Sequence, residues 1–295
     1  MVAEGNASAQ IRGIDIDKLA KGFADEEIIF KRFVTNSSTN AREIRWYQKT
    51  SGYLDTADTT TITASGIANV SFKARPFVTE QTWTRTTSYV KKFFVESPMI
   101  SQEDIRDCDI DILATNVRDL VRAVERQVDA EIYSVLTVAD AGTGENARAI
   151  TDEWDDTANC IPIQDIMYGK TMIRTYGYDP EGAIFAITPA THMNLINWLI
   201  ATKGSSIPSF SSALIGNGVV MEILGCKVVV STNVTTDKAV MFVPQRAVTW
   251  KAFMPIATAT IDEPGIGTKI RCWEEGCALL TDPKAVCFFS NIGPT

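Results

Sequence analysis

The chain has 295 residues, 45% of them apolar and 22% charged, a balance that supports a full hydrophobic core, suggests two compact parts and excludes a disordered chain. Its formal net charge of -8 leaves no chain-wide basic footprint, so specific recognition of nucleic acid is disfavoured and any contact with it is local or weak. Residues 1–10 lack the basic start and apolar stretch of a leader, and no uncharged apolar run approaches the roughly 18 residues of a membrane span, so cytosol-like surroundings and no membrane partner are expected.

In chain order, residues 1–41 read as an arm. Residues 11–33 have mixed helical character, and the cluster Asn36-Ser37-Ser38-Thr39-Asn40 ends them as a loop. Such an arm needs a surface to lie on. Residues 42–96 are rich in Thr and Ser, carry isolated aromatics and never sustain the apolar runs of a self-sufficient domain. Two strand-like stretches, 43–49 and 77–95, enclose a Thr/Gly/Asp segment at 50–66. In the second, Trp83, Tyr89, Phe93 and Val95 alternate with Thr82, Thr84, Thr86 and Ser88, the pattern of a two-faced ribbon. As one strand it would run about 60 Å, too far for a hairpin buried inside a compact domain. It is expected to project.

Residues 111–137 then place Leu113, Val117, Leu120, Val121, Val124, Val128, Ile132 and Val135 at the three-and-four spacing of one helix face. This spine would be about 40 Å long. A Gly-rich, acidic loop at 141–159 leads into an α/β unit: a helix at 163–176, the strand 183–187, and a helix from Thr188-Pro189 to about residue 201, with Thr as its cap and Pro in its first turn. Strands are expected at 219–224, 227–231, 239–243 and 248–253. Beyond Pro255 comes a meander at 258–261, 268–274, 277–280 and 285–289, separated by Glu263-Pro264-Gly265, Gly276 and Asp282-Pro283.

Residues able to carry chemistry are sparse. His192 is the single histidine, in the first turns of a helix, and no Gly-x-Ser-x-Gly elbow accompanies it. Asp107-Cys108-Asp109-Ile110-Asp111 alternates carboxylates as a calcium loop does, but Ile112 stands where the turn glycine belongs and Arg118 where the bidentate Glu belongs. Acids that open a helix explain it better. Cys272 and Cys277 lack a second ligand pair for zinc, and Gly142-Thr143-Gly144 lacks the Gly-Lys-Ser/Thr ending of a phosphate loop. The six cysteines are read as buried thiols. No catalytic, cofactor-binding or metal site is expected.

Two charge patterns remain. Arg118, Arg122 and Arg126 form a stripe on the spine, which needs acids such as Asp119, Glu125 and Asp129 nearby. It reads either as a solvated, salt-laced face or as an inner face near nucleic acid. The ribbon is locally basic, with Lys73, Arg75, Arg85, Lys91 and Lys92 against Glu80 and Glu96. Either it is a merely solvated hairpin, or opposite potentials guide the docking of one subunit's ribbon on another's body.

Four stretches together resemble the major capsid proteins of tailed bacteriophages and archaeal tailed viruses, a fold shared with encapsulin shells. They are Val95-Glu96-Ser97-Pro98-Met99-Ile100-Ser101 at the entry to the spine, Ile187-Thr188-Pro189-Ala190-Thr191 at a strand-to-helix step, Leu224-Gly225-Cys226-Lys227-Val228-Val229-Val230-Ser231 as a strand pair, and the closing strands from Lys269 through Trp273 and Leu280 to Val286. Cys226-Lys227 departs from the family's usual aromatic-Pro. The resemblance implies an α+β fold with an N-terminal arm (1–41), an extended β-hairpin loop (42–97), a peripheral domain holding the spine helix (98–150) and the closing strands (248–295), and an axial domain (151–247). It implies a non-enzymatic subunit that self-assembles into an icosahedral capsid around double-stranded DNA, with no cofactor. Lys73, Arg75, Trp83, Arg85 and Tyr89 would contact neighbouring subunits. The implied partners are copies of itself, scaffolding and portal proteins, a decoration protein, and packaged DNA in non-specific proximity. Its place would be the virion, after assembly in the host cytoplasm. Residues 1–41 are too few for the scaffolding segment such chains often carry, which implies a separate scaffold or a matured chain. An encapsulin-type compartment, or a two-domain α/β enzyme dependent on a cysteine or a metal, are the alternatives.

Overall fold

The structure, a computed structural model, describes residues 29–51, 54–55, 63–64, 69–75, 78, 82–107, 112–137, 147–156, 159–202 and 222–293. The elements run α1 (Phe30–Phe33), β1 (Thr35–Ser38), β2 (Glu43–Ser51), β3 (Leu54–Asp55), β4 (Thr63–Ala64), β5 (Thr82–Tyr89), β6 (Lys91–Glu96), β7 (Ile100–Ser101), α2 (Gln102–Asp107) and α3 (Ile112–Thr137). Then follow β8 (Ala147–Ala149), α4 (Pro162–Thr175), β9 (Ile184–Ile187), α5 (Pro189–Thr202), β10 (Glu222–Ile223), β11 (Cys226–Val230), β12 (Lys238–Phe242), β13 (Val248–Glu263), β14 (Gly267–Leu280) and β15 (Val286–Ser290).

Among the described residues, one sheet has the order β10-β11-β9-β12-β15-β8 and divides the interior into two cores. Alternation along its strands does this. Ile184, Ala186, Val240 and Phe242 face the spine helix α3, with Val128, Ile132 and Leu136. Phe185, Ile187, Ala239 and Met241 face α4 and α5, with Ile166, Ile173, Leu195 and Leu199. α5 starts as its sequence demands: the Thr191 N–H donates to Thr188 Oγ1 at 3.1 Å, a side-chain cap just ahead of Pro189. The strands β8 and β15, which the resemblance puts with the peripheral segments, are both hydrogen-bonded into this sheet.

A second sheet has the order β1-β13-β14-β6, with β7 also on β14, and α3 packs across it. Two expected breaks are absent from its long hairpin. Pro255 does not end β13; register shifts between Ala252 and Met254 and between Met254 and Ala257 absorb it as bulges. Gly276 does not separate two strands but stays within β14, where a Cβ would come 2.4 Å from Trp250 Cζ2. The glycine makes room for a buried indole.

Other expectations need correction. The continuous strand at 77–95 is β5 and β6 parted at Val90, because the two halves pair with different partners: β5 with β2, β6 with β14. The helical character at 11–33 appears only as α1, and the earlier residues of that stretch lie outside the described set. On α3, the buried side chains cluster in the second half, at Val124, Val128, Asp129, Ile132, Tyr133 and Leu136. Leu113, Val117, Leu120 and Val121 are only partly covered. The stripe is present, but the second core wall reaches only one end of it.

Candidate assembly surfaces

The ribbon is an antiparallel pair, β2 with β5, in register from Glu43 opposite Tyr89 to Ser51 opposite Thr82. Directly opposed residues share a face. One face carries Glu43, Arg45, Tyr47, Trp83, Arg85, Thr87 and Tyr89, all exposed. Tyr47 is 63% exposed, Trp83 55% and Tyr89 66%. The other face, with Ile44, Trp46, Thr86 and Ser88, is half-buried. Ile44 and Trp46 are partly covered together with the hydroxyls of Thr86 and Ser88, while Tyr47, Trp83 and Tyr89 look out. Trp83, Arg85 and Tyr89 are thus brought together, while Lys73 and Arg75 are exposed in a separate turn closed by the Ala74 N–H to Ser71 O bond at 2.9 Å.

The ribbon's root is tied to its own subunit. Val90 N–H donates to Arg42 O at 2.9 Å. Lys91 Nζ meets Glu131 of the spine at 2.5 Å, and Lys92 lies 3.5 Å from Glu275 and over the ring of Phe94. These two lysines, expected to add to a basic ribbon, are therefore offset by acids of the same chain. Phe93 and Val95 turn inward here, Phe93 against Trp250, so they do not share the outward face of Trp83 and Tyr89.

The arm's root shows the opposite arrangement. Phe30 is fully buried between Tyr133 and Phe242, with ring centroids at 5.6 and 6.2 Å. The carboxylate of Asp129, itself buried on the spine, accepts the N–H of Lys31 at 3.0 Å and of Ile29 at 3.3 Å, capping the short helix α1 from outside it. Burial pushes the Asp129 carboxyl above its usual range, against the pull of those backbone donors. Lys31 Nζ reaches both oxygens of buried Glu274 at 2.7 and 2.9 Å. Glu125 completes this cluster, its carboxyl also pushed up by burial, with Lys31 and Arg122 opposing and Glu274 adding to the shift. β1 then joins the sheet edge, parallel to β13 from Thr35 opposite Thr249 to Ser38 opposite Ala252. The surface this part of the arm needs is its own subunit's core. No local pattern announces these long-range partners; only the paired Phe30 and Phe33 hint at an anchor.

The arginine stripe is intramolecular in its contacts. Arg118 and Arg122 lie 3.8 and 3.9 Å from Asp119, and Arg126 donates to Thr232 Oγ1 at 3.1 Å. Of the expected acids, Asp119 does serve the stripe, whereas Asp129 is committed to the arm.

Among the described residues no reactive constellation forms. Burial pushes His192 down, and burial pushes the Cys160 thiol up to about 11 and Cys287 up to about 12, away from thiolate chemistry. Among the described residues all the cysteines are unpaired and buried, and no cluster of three His, Cys, Asp or Glu side chains could hold a metal. The acid alternation at 108–111 and Gly142-Thr143-Gly144 lie outside the described residues. No described helix is long and apolar enough to cross a membrane.

The described residues thus set the spine helix against two sheets and leave Tyr47, Trp83 and Tyr89 of the ribbon exposed. A family model described as phage capsid protein matches residues 79–287. The chain belongs to that family. Solved capsids share the fold: that of Cyanophage P-SCSP1u, at 11% identity, aligns over 95% of this chain and 94% of its own with a TM-score of 0.70. The mature capsid of bacteriophage PhiM1 does so at 13% identity over 95% and 91%, with a TM-score of 0.67. The virus-like particle from Pyrococcus furiosus aligns at 10% identity over 88% and 91%, with a TM-score of 0.56. No curated protein matches. This phage capsid protein is thus a structural, non-enzymatic α+β subunit of a virion shell. The family match runs from just before β5 into β15, so it covers the spine and every strand of the two large sheets except β1.

Proposed function

We propose that the subunit closes its shell by laying the aromatic–arginine face of the ribbon, with Trp83, Arg85 and Tyr89, on the body of a neighbouring copy, and that Lys73 and Arg75 steer that encounter. The observation that carries this is the outer ribbon face: Tyr47, Trp83 and Tyr89 on it are each more than half exposed, while the opposite face, with Ile44 and Trp46, is half-buried. Exposed Tyr, Trp and Arg are the residues that anchor protein interfaces. In this reading the chain divides into the arm, the extended loop, a peripheral part and an axial part. Scaffolding, portal and decoration proteins are further partners in the host cytoplasm, and packaged double-stranded DNA is held by confinement, with only non-specific proximity to the shell wall. The contacts of Arg118, Arg122 and Arg126 favour a salt-laced helix face for the stripe.

The test is removal of residues 50–82 with a short Gly/Ser bridge. The body should keep its circular dichroism spectrum, while sedimentation should show lost or aberrant particles. Normal shells from the deleted protein would sink the steering role of Lys73 and Arg75, normal shells from Trp83→Ala with Arg85→Ala and Tyr89→Ala would sink the docking role of the face that the deletion leaves in place, and an unfolded body would show that the ribbon belongs to the core. The nucleic-acid content of purified particles separates a genome container from a compartment for protein cargo.

A further inference from the structure

Among the described residues, the long hairpin has one covered edge and one largely bare edge. β14 lies between β13 and β6, whereas β13 has β1 as its outer neighbour only from Thr249 to Ala252, with one more bond from Thr39 N–H to Ala252 O. Beyond Ala252 no described strand pairs with that side of β13. From Ala257 opposite Trp273 to Glu263 opposite Gly267 the register with β14 is unbroken. The bare edge is therefore regular over about 20 Å. Outer N–H and C=O groups on such an edge form a template for another strand, and proteins usually blunt it with lysine, proline or a bulge. Here Pro255 and both bulges come before Ala257, and the only charges that follow are Asp262 and Glu263 at the far end; Ala257-Thr258-Ala259-Thr260-Ile261 is uncharged, with Thr258 and Thr260 exposed.

We propose that this edge pairs, antiparallel, with the same edge of a second copy about a two-fold axis at Thr260. The proposal rests on the reading of the chain as a self-assembling subunit. The pair chemistry selects both partner and register. With the axis at Thr260, Ala257 faces the mate's Glu263, Thr258 faces Asp262, Ala259 faces Ile261, and Thr260 faces itself. No like charges meet. Asp262 already accepts Thr268 Oγ1–H at 2.7 Å through Oδ1 and has Oδ2 left for the mate's Thr258 hydroxyl, and the small Ala259 leaves room for half-buried Ile261. Moving the axis to Ala259 would draw Pro255 into the ladder. Moving it to Ile261 would run the ladder past Glu263 into the turn at Pro264-Gly265. The contact is isologous, so it closes on itself and covers both bare edges, one of the ways in which identical copies form a closed symmetric assembly.

Thr260→Cys tests it in the full-length chain, in particles treated with copper phenanthroline and run on a non-reducing gel. Opposed Cα atoms in an antiparallel pair lie about 4.5–5.5 Å apart, within disulfide reach. Wild-type particles set the baseline. A dimer band should appear with T260C and not with T258C alone, whose equivalent atoms would be about 13 Å apart. Mixed T258C and D262C subunits should restore the band. Ala257→Cys mixed with Glu263→Cys applies the same distance test should T260C fold poorly. Intact particles without the T260C band would overturn the pairing, as would equal bands at 258 and 260, or a disulfide that peptide mapping assigns to the cysteine introduced at position 260 and a native cysteine of another copy. Failure of the wild type to form particles both with and without a scaffolding protein, seen by electron microscopy before oxidant is added, would sink the self-assembly reading and this pairing with it.

Discussion

The arm's root and the ribbon are both extended segments without a core of their own, yet they find their energy in different places. The root places Phe30 in the core beneath the spine, lends its N–H groups to Asp129 and sets Lys31 on Glu274. The ribbon turns Tyr47, Trp83 and Tyr89 outward. A segment that inserts one large side chain into an existing core becomes part of that subunit's stability, whereas one that displays its aromatics contributes only when another surface covers them.

The sharpest way to break this contrast is Phe30→Ala, which should cost the isolated subunit about 4 kcal/mol because a fully buried aromatic leaves a cavity. Denaturant unfolding of unassembled protein measures it, and a loss under about 1 kcal/mol would show that the root is not structural. Lys31→Ala should come next, at about 3 kcal/mol, because it leaves the buried Glu274 carboxylate unpaired. Lys31→Met with Glu274→Gln should recover much of that loss in the same assay.

Asp129 gives a smaller and pH-dependent effect. Asp129→Ala, which strips acceptors from the root, should cost about 1 kcal/mol. Asp129→Asn should cost less at neutral pH. The native carboxyl is raised above its unfolded value of 3.8, so the folded protein holds the proton more tightly than the unfolded chain. That contribution is full below 3.8 and is lost as pH rises through the raised native value. Asn should therefore compare best with wild type above this window and worst below it. Unfolding midpoints of the pair that move in parallel across pH would contradict the burial of a charged Asp129.

Least of all should Trp83→Ala with Tyr89→Ala disturb the isolated subunit, by no more than about 0.5 kcal/mol, as for exposed sites elsewhere. Particle yield should nevertheless fall. Charge reversal at Lys73, Arg75 and Arg85 should act more mildly and fade as salt rises, since exposed charges govern encounter more than total affinity. Sedimentation at two salt concentrations separates these outcomes.

Much of this was legible in the chain. Three-and-four spacing at Val124, Val128 and Ile132 marks the spine, Thr188-Pro189 marks the start of α5, and the alternation at Trp83 to Tyr89 marks a two-faced strand. The missing ligand clusters and lone His192 already argued against catalysis. These are local signals, set by backbone geometry over a few residues.

Which face of the ribbon looks outward, where the strand at 77–95 divides, and why Gly276 stays inside a strand were decided only in three dimensions. So were the contacts of Asp129 and Glu274 with Ile29 and Lys31, across about a hundred residues or more of chain. Periodicity specifies that a face is apolar or polar, but the occupant of that face is chosen by whichever distant segment packs there at lowest free energy. For Trp83 and Tyr89 no described segment of the same chain does so.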